Sequence, residues 1–355
     1  MRTAAAASGV RIGTRAIGAG APCFLVAEIG INHNGDMDLA KRMIDAAARA
    51  GADSVKFQNY RTEDFISDRS LKHEYISQGR PVVEPQYDLF KRCELKPAAL
   101  LELKKYSDDR GVLFHSTPTS EDGIRDLVEI GVAILKNGSD YLTHLPLIRA
   151  MGRTGLPTVL STGMAASEEI SEAVQAFRET GNDRLVLLHC TSSYPTPPAE
   201  TNLRRIPALA ETYRCPAGFS DHTEGIEAAI GAVALGACWI EKHFTLDKNL
   251  PGPDHRFSAD PAEFEALVKG IRRMEQTLGD SRLGPTPSEA QGRLNYRLSC
   301  VAVRPLPAGH TLTEGDLAFR RPGTGLPPAQ APSLIGRRLK RALQTGAVIQ
   351  PGDLE

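Results

Sequence analysis

The sequence predicts an α/β chain: a closed (β/α)8 barrel followed by a small β-rich domain. Three observations carry that expectation. Between Phe24 and about Gly279, short β-branched runs alternate with longer amphipathic helical patterns, as βα units around a parallel sheet do. The polar residues of those runs collect at their carboxyl ends, where a barrel of this kind keeps its chemistry. After Gly279 the composition turns basic and rich in Gly and Pro.

Taken in order, strands are expected over residues 24–30, 54–60, 111–118, 132–139, 157–163, 184–190, 216–222 and 238–245, each followed by enough chain for a crossover helix. The clearest helical patterns cover 39–50, 97–109, 167–179 and 261–278. Eight units favour a closed barrel over an open doubly wound sheet. The barrel domain is placed at 1–279, a polar linker at 280–296 and the second domain at 297–355. That second domain carries an echo: residues 306–317 and 343–354 share both terminal leucines, two glycines and an aspartate. Two related strand-turn pieces imply a small pseudosymmetric β-rich unit.

Composition excludes several classes. Lys plus Arg number 42 against 43 for Asp plus Glu in the 355 residues, so no basic field exists to condense on nucleic acid or an anionic membrane. The longest apolar stretch, residues 228–240, falls short of the roughly 18 residues that span a bilayer. Arg11 and Arg15 interrupt the N-terminal apolar run before it reaches a signal-peptide core; a cytoplasmic protein is expected. Six cysteines without CxxC spacing imply neither a disulfide frame nor a zinc knuckle. Dinucleotide and phosphate-loop motifs are absent, as is the GxSxG elbow of a serine hydrolase.

The residues that could carry chemistry sit late in the strands. Ser220 and His222 share a face at the end of the seventh run, as do Glu241 and His243 in the eighth. With neighbouring strands about 4.8 Å apart, the two imidazoles could converge on one cation, a set that suits Mn, Fe or Zn acting as a Lewis acid. Two unrelated histidines held by core hydrogen bonds would satisfy the same spacing. Lys56 and Lys136, with Thr117, Ser139, Ser161 and Ser220, supply what a phosphate or carboxylate ligand needs; ordinary salt bridges to Glu28 and Glu241 are the alternative. Asp254 lies in a Pro- and Gly-stiffened loop, residues 249–256, either as a rigid carboxylate for a polyol or as a solvated turn.

These fragments resemble the sialic acid (N-acetylneuraminate) synthase family and its relatives making legionaminic and pseudaminic acids. The resemblance runs in order through AEIGINHNGD (27–36), GADSVKFQ (51–58), STP (116–118), LSTGM (160–164), LLHCTSSYPTP (187–197), FSDHT (219–223), ALGA (234–237), IEKHFTLD (240–247), PGPDH (251–255) and RRPGTG (320–325). It implies a TIM barrel joined to a C-terminal antifreeze-like (SAF) domain, in a domain-swapped homodimer. It also implies condensation of phosphoenolpyruvate with an N-acetylated amino sugar, typically N-acetylmannosamine, with release of phosphate and use of a divalent metal, expected to be manganese. By the same resemblance His222 and His243 hold the metal, and Lys56, Thr117, Lys136, Ser139, Ser161, Ser192 and Ser220 cradle phosphoenolpyruvate. Glu28 stands near the developing oxocarbenium centre, Glu241 and Asp254 serve sugar hydroxyls or protons, and Arg321 reaches the N-acyl group from a partner subunit.

The chain departs from the family pattern in two places. Where Lys-Ile-Gly-Ser-Gly and an acid are usual, residues 136–141 read Lys-Asn-Gly-Ser-Asp-Tyr, so the carboxylate moves from 141 to 140. On a strand end that shift turns it to the other face. Tyr296-Arg-Leu-Ser299 likewise replaces an Arg-Arg-Ser pattern. The PGPDH loop is closer to the neuraminic and legionaminic branches than to the pseudaminic one. The rivals are a legionaminic acid synthase using 2,4-diacetamido-2,4,6-trideoxymannose, a metal-dependent barrel hydrolase, and a noncatalytic carbohydrate-binding relative.

Overall fold

The computed structural model describes residues 9–355, and the chain divides into two compact units after Gly279. The first unit holds eight parallel strands: β1 (Phe24–Gly30), β2 (Ser54–Asn59), β3 (Leu113–Pro118), β4 (Leu135–Asn137), β5 (Thr158–Ser161), β6 (Leu185–Cys190), β7 (Ala217–Asp221) and β8 (Trp239–His243). Their order in the sheet is β3-β2-β1-β8-β7-β6-β5-β4. The last strand thus pairs with the first, His243 opposite Glu28, and β3 lies beside β4. The sheet wraps into the expected (β/α)8 TIM barrel, which a count of units alone could not establish.

Local chemistry explains the helices. In Met37–Arg49 the Asp36 side chain accepts from the backbone N–H groups of Asp38 and Leu39, satisfying donors the first turn leaves free. Leu39, Ala40, Met43, Ile44 and Ala47 recur on one buried face, the stripe that docks a helix on a sheet. Asp260 and Glu263 form a capping box at the start of Pro261–Leu278. The apolar faces of these helices and the outward residues of the strands make one large core.

A second core fills the barrel's lower interior. Phe24, Val26, Ile134, Val159, Val186, Leu188 and Trp239 meet there, with the Trp239 and Phe24 rings stacked at 4.5 Å. An N-terminal hairpin, Val10–Ile12 against Arg15–Ile17, contributes Val10, Ile12 and Ile17 to this core and plugs that end. With the bottom filled by this core, the carboxyl ends of the strands remain open to ligand.

Further elements were not anticipated from the sequence. Lys72–Ser77 pairs with Arg80–Pro85 as a hairpin, turning at Gln78 and Gly79, both with positive φ, as a two-residue type I′ turn requires. The short helix Gln86–Cys93 follows it. The expected fourth strand, 132–139, shrinks to Leu135–Asn137 because Ser139–Tyr141 coils into a 3-10 turn.

In the second unit, Ala290–Tyr296 forms a short helix within the stretch read as a linker. Ser299–Ala302 then pairs antiparallel with Leu317–Arg320. The sequence echo is structural: Leu306 bridges Leu343, its own counterpart, while Val301 bridges Val348 and Thr311 bridges Arg338. Each copy buries one aspartate, Asp316 and Asp353. Thr313 and Arg304 donate to the first, Gln350 N–H and Arg341 to the second. Among the described residues no helix is long and apolar enough to cross a membrane.

Candidate active site

A cavity of about 760 Å³ opens at the carboxyl ends of the strands. Every first-unit residue singled out from the sequence lines it: Glu28, Lys56, Thr117, Lys136, Ser139, Ser161, Ser192, Ser220, His222, Glu241, His243 and Asp254. The strand register explains the convergence. Each of these side chains sits on the last inward-facing positions of a strand or in the loop just beyond it.

The floor is a buried quartet of charges. Lys56 Nζ lies 3.0 Å from Glu28 Oε1 and 3.4 Å from Glu241 Oε1, and it donates to Thr117 Oγ1 at 3.2 Å. Lys136 Nζ donates to Ser161 Oγ at 2.7 Å and stands 3.5 Å from Glu241 Oε1. Ser220 Oγ donates to the same carboxylate oxygen at 3.3 Å. The salt bridges posed as an alternative to a binding site therefore do form. They leave capacity unused, however: the second carboxylate oxygens of Glu28 and Glu241 are buried without a partner, which is uncommon in a finished structural network.

The environments of the two glutamates differ. Burial pushes the Glu28 carboxyl up, with Lys56 only partly offsetting it. Burial also acts on Glu241, but Lys136 and Lys56 together outweigh it and hold that carboxyl below its usual range. Divergent paired carboxyls are what acid and base roles require.

Beside the lysines is a cradle of hydroxyls. The Gly163 N–H donates to Ser139 Oγ at 3.1 Å, and a Cβ at Gly163 would run into the hydroxyls of both Ser139 and Ser192. A glycine is needed for those two serines to meet.

His222 and His243 stand on β7's end and on β8 with ring centroids 5.3 Å apart. His222 Nδ1 meets the Thr191 carbonyl at 2.9 Å, so that nitrogen is the donor and Nε2 is the one left to face a ligand, as in a metal-bound imidazole whose other nitrogen is held by a carbonyl. His243 Nδ1 is buried without a hydrogen-bond partner, 3.6 Å from Asp254 Oδ2. Burial and the adjacent His222 keep His243 well below its ordinary range, so it is neutral and able to ligate. These two nitrogens fit a divalent cation. Among the described residues no group of three or more His, Cys, Asp or Glu does so, so the remaining positions would belong to substrate or water.

The Asp254 loop is pinned rather than solvated: Asn34 donates to the Pro251 carbonyl at 2.8 Å, Gly252 N–H to Ser77 Oγ at 3.1 Å, and Thr245 bonds His255 at 2.7 Å. Burial raises the Asp254 carboxyl to about 6.

One expectation needs correction. The one-residue shift of the acid was expected to turn it away, by strand alternation. Ser139–Tyr141 is a 3-10 turn, with about 120° per residue rather than 180°, and both Asp140 and Tyr141 line the cavity. Burial raises the Asp140 carboxyl against the pull of Lys136 and Lys56. Arg321 belongs to the second unit, where it is exposed and donates to the Tyr296 carbonyl at 3.2 Å.

Sequence reasoning missed several lining residues. Tyr194 packs over His222 at 4.2 Å between centroids and over Phe257 at 5.5 Å; Gln58 reaches the cavity beside Glu28. The 72–85 hairpin brings His73, Glu74, Tyr75 and Ile76. Its signal was present: a Gln-Gly pair between two runs of alternating polarity.

The profile of the NeuB family matches residues 43–282, and that of the SAF domain matches 299–355. The chain belongs to the NeuB family. Among its relatives, the N,N'-diacetyllegionaminic acid synthase of Legionella pneumophila is 39% identical over 95% of this chain and 96% of that one. Human N-acetylneuraminate-9-phosphate synthase is 34% identical over 92% and 90%. The crystal structure of N-acetylneuraminic acid synthetase from Leptospira borgpetersenii, in complex with citrate, matches with TM-score 0.74 and 38% identity over 81% of this chain and 95% of that one. This NeuB protein is thus an enzyme of the nonulosonic acid synthase type, a C–C bond-forming transferase.

Proposed function

We propose that this NeuB enzyme condenses phosphoenolpyruvate with an open-chain, N-acetylated mannosamine-type sugar and water, giving a nonulosonic acid and phosphate. N-acetylmannosamine, leading to N-acetylneuraminate, is the simplest acceptor. The alternative is 2,4-diacetamido-2,4,6-trideoxymannose, leading to the product named for the relatives at 39% and 38% identity. The observation that carries this reading is one cavity in which a hydroxyl-ringed lysine pair stands beside two facing histidines.

In this reading Lys56 and Lys136, with Thr117, Ser139, Ser161, Ser192 and Ser220, bind the phosphate and carboxylate of phosphoenolpyruvate. A divalent cation, manganese by preference, would be held by His222 and His243 and would supply Lewis-acid polarisation of the sugar aldehyde. The methylene carbon of phosphoenolpyruvate bonds to the aldehyde carbon, water adds at C2, and the C2–O bond to phosphate breaks with its electron pair leaving on phosphate. Asp254 hands a proton to the aldehyde oxygen, and Glu28, raised by burial, takes the proton that the water gives up. Glu241 stays ionised and keeps both lysines charged. Preorganised charge provides most of the acceleration. Arg321 of a partner subunit would meet the N-acyl group in a domain-swapped homodimer, with barrel 1–279, linker 280–296 and SAF domain 297–355, working in the cytoplasm.

The test is phosphate release by chelator-stripped protein given phosphoenolpyruvate and Mn, with each sugar in parallel and products identified by mass. Release requiring metal and one sugar supports the synthase. Silence with both sugars in folded dimeric protein would overturn both acceptors and favour an altered substrate or a binding-only role.

A further inference from the structure

The reaction above leaves one titratable group beneath the charged floor unused. His115 lies on β3 two residues before Thr117 and beside Lys56 in the sheet register, so it faces inward one layer below the floor. It is fully buried. Two neighbours fix its ring. Ser54 Oγ, on β2, lies 2.7 Å from Nδ1, and the Trp239 ring meets it edge to face with centroids 5.9 Å apart. Among the described residues, its Nε2 has no hydrogen-bond partner. Burial and then Lys56 hold the imidazole down to about 3 against the opposing pull of Glu241, so the ring is neutral and has one N–H to place.

The floor shows where that N–H belongs. Lys56 Nζ already has three partners, Glu28, Glu241 and Thr117, and Lys136 Nζ has three, Ser161, the Asn137 carbonyl and Glu241. An ammonium carries three N–H groups, so neither lysine needs an acceptor from below. Glu241 is in the opposite condition. Lys56, Lys136 and Ser220 all meet its Oε1, while its Oε2 is buried without a donor among the described residues. A carboxylate held at one oxygen is free to turn about it. A bare Nε2 would set one acceptor against another, whereas Nε2–H supplies the donor that Oε2 lacks. That requires Nδ1 to accept, and Ser54 can donate to it: its hydroxyl is 2.7 Å from Nδ1, against 2.9 Å from the Leu113 carbonyl. Nε2 and Oε2 do not bond directly, and buried polar groups of this kind are commonly joined by one water. We propose that Ser54 and His115 are positioning residues: Ser54 donates to Nδ1, and Nε2–H, through one bridging water, holds Glu241 Oε2 so that Oε1 stays turned to both lysines. The inference rests on the reading of those lysines as the phosphoenolpyruvate site and adds to it what aligns them.

The first test is made on the wild-type protein. Nitrogen NMR of the full-length chain with labelled histidine, the His115 signals being identified by their loss in His115→Gln, should show Nε2 protonated and Nδ1 bare; the reverse tautomer overturns the proposal. The second test is kinetic, in metal-loaded enzyme with saturating sugar. His115→Phe keeps a ring and removes the donor, and should raise the phosphoenolpyruvate KM roughly 10-fold, the worth of one hydrogen bond to a charged group, with kcat little changed. His115→Gln, whose amide N–H can stand where Nε2–H stood, should restore most of that loss. A role in packing alone would raise KM alike in both variants or in neither, and either result overturns the proposal. Should His115→Phe fail to fold, Ser54→Ala takes its place: removing the donor to Nδ1 should raise the same KM, and an unchanged KM overturns the proposal. No phosphate release by wild-type enzyme would count against the synthase reading instead, and the tautomer then decides the pair by itself.

Discussion

Replacing Lys136 with Met separates an anion site from a structural salt bridge. The Lys136 side chain is buried, donates to Ser161 Oγ at 2.7 Å and to the Asn137 carbonyl at 3.2 Å, and stands 3.5 Å from Glu241. Methionine keeps its length and removes its charge. If the ammonium serves only to balance Glu241, its loss should appear mainly as instability, up to about 3–5 kcal/mol for an uncompensated buried charge. Two effects reduce that figure. Glu241 keeps Lys56, and the cost of burying the Lys136 charge itself is relieved, so we expect a loss of about 1–3 kcal/mol. A charge-assisted hydrogen bond to phosphoenolpyruvate is worth about 1.5–3 kcal/mol, which converts to roughly a 10- to 100-fold rise in its KM. Phosphate release with phosphoenolpyruvate titrated against saturating sugar gives that KM, and thermal unfolding gives the stability. A phosphoenolpyruvate KM within threefold of wild type, in protein that has lost several kcal/mol, would refute the anion-site reading.

Asp140→Asn should raise the sugar KM by roughly 10-fold, the worth of one charge-assisted hydrogen bond to a sugar hydroxyl, with little change in the phosphoenolpyruvate KM; an unchanged sugar KM would show that the shifted carboxylate is idle. Because burial already raises Glu28 and only its ionised form can take the water's proton, kcat/KM for phosphoenolpyruvate should fall as pH drops through that raised value; a pH–rate profile measures that limb, and a flat profile in folded enzyme would contradict the base role. Asp316 is buried and held well below the usual carboxylate range, since bonds from His310 and Thr313 outweigh its burial. Its stabilisation is thus complete above the ordinary Asp value near 3.9 and fades as pH falls below it; Asp316→Asn should cost about 2–3 kcal/mol in denaturant unfolding of the second unit, and an unchanged midpoint would contradict this. Arg321→Ala should weaken sugar binding more than phosphoenolpyruvate binding, and equal loss for both would end its proposed role.

Much of the barrel was legible because its signals are local. Each strand run is short and β-branched, each helix carries a stripe at the right period, and the polar residues fall late in the strands. The register of a parallel sheet then does the rest: once β8 is beside β1, Glu28, Lys56, Glu241 and the histidines must share one end. Closure itself was not local, since it depends on β1 having two neighbours, one from the far end of the unit. The N-terminal hairpin escaped notice for a similar reason. Its strands have three residues each, too few to show a period, and they are stabilised by a core contributed mainly by other strands.

The site shows where a correct period leads to a wrong inference. The acid at 140 was judged by strand alternation, in which one residue's shift reverses a side chain. That rule holds only while the ladder continues, and β4 ends at Asn137. One residue further on, the chain turns so that Ser139 can accept from the Gly163 N–H, and the backbone that makes this bond is a 3-10 turn. In such a turn neighbouring side chains diverge by a third of a circle, so a wide cavity can be lined by both. The need to place a serine in the hydroxyl cradle therefore determines what a carboxylate at the next position can reach. An acid displaced by one residue is compatible with the same cavity for a reason set by tertiary hydrogen bonding, which no period in the sequence records.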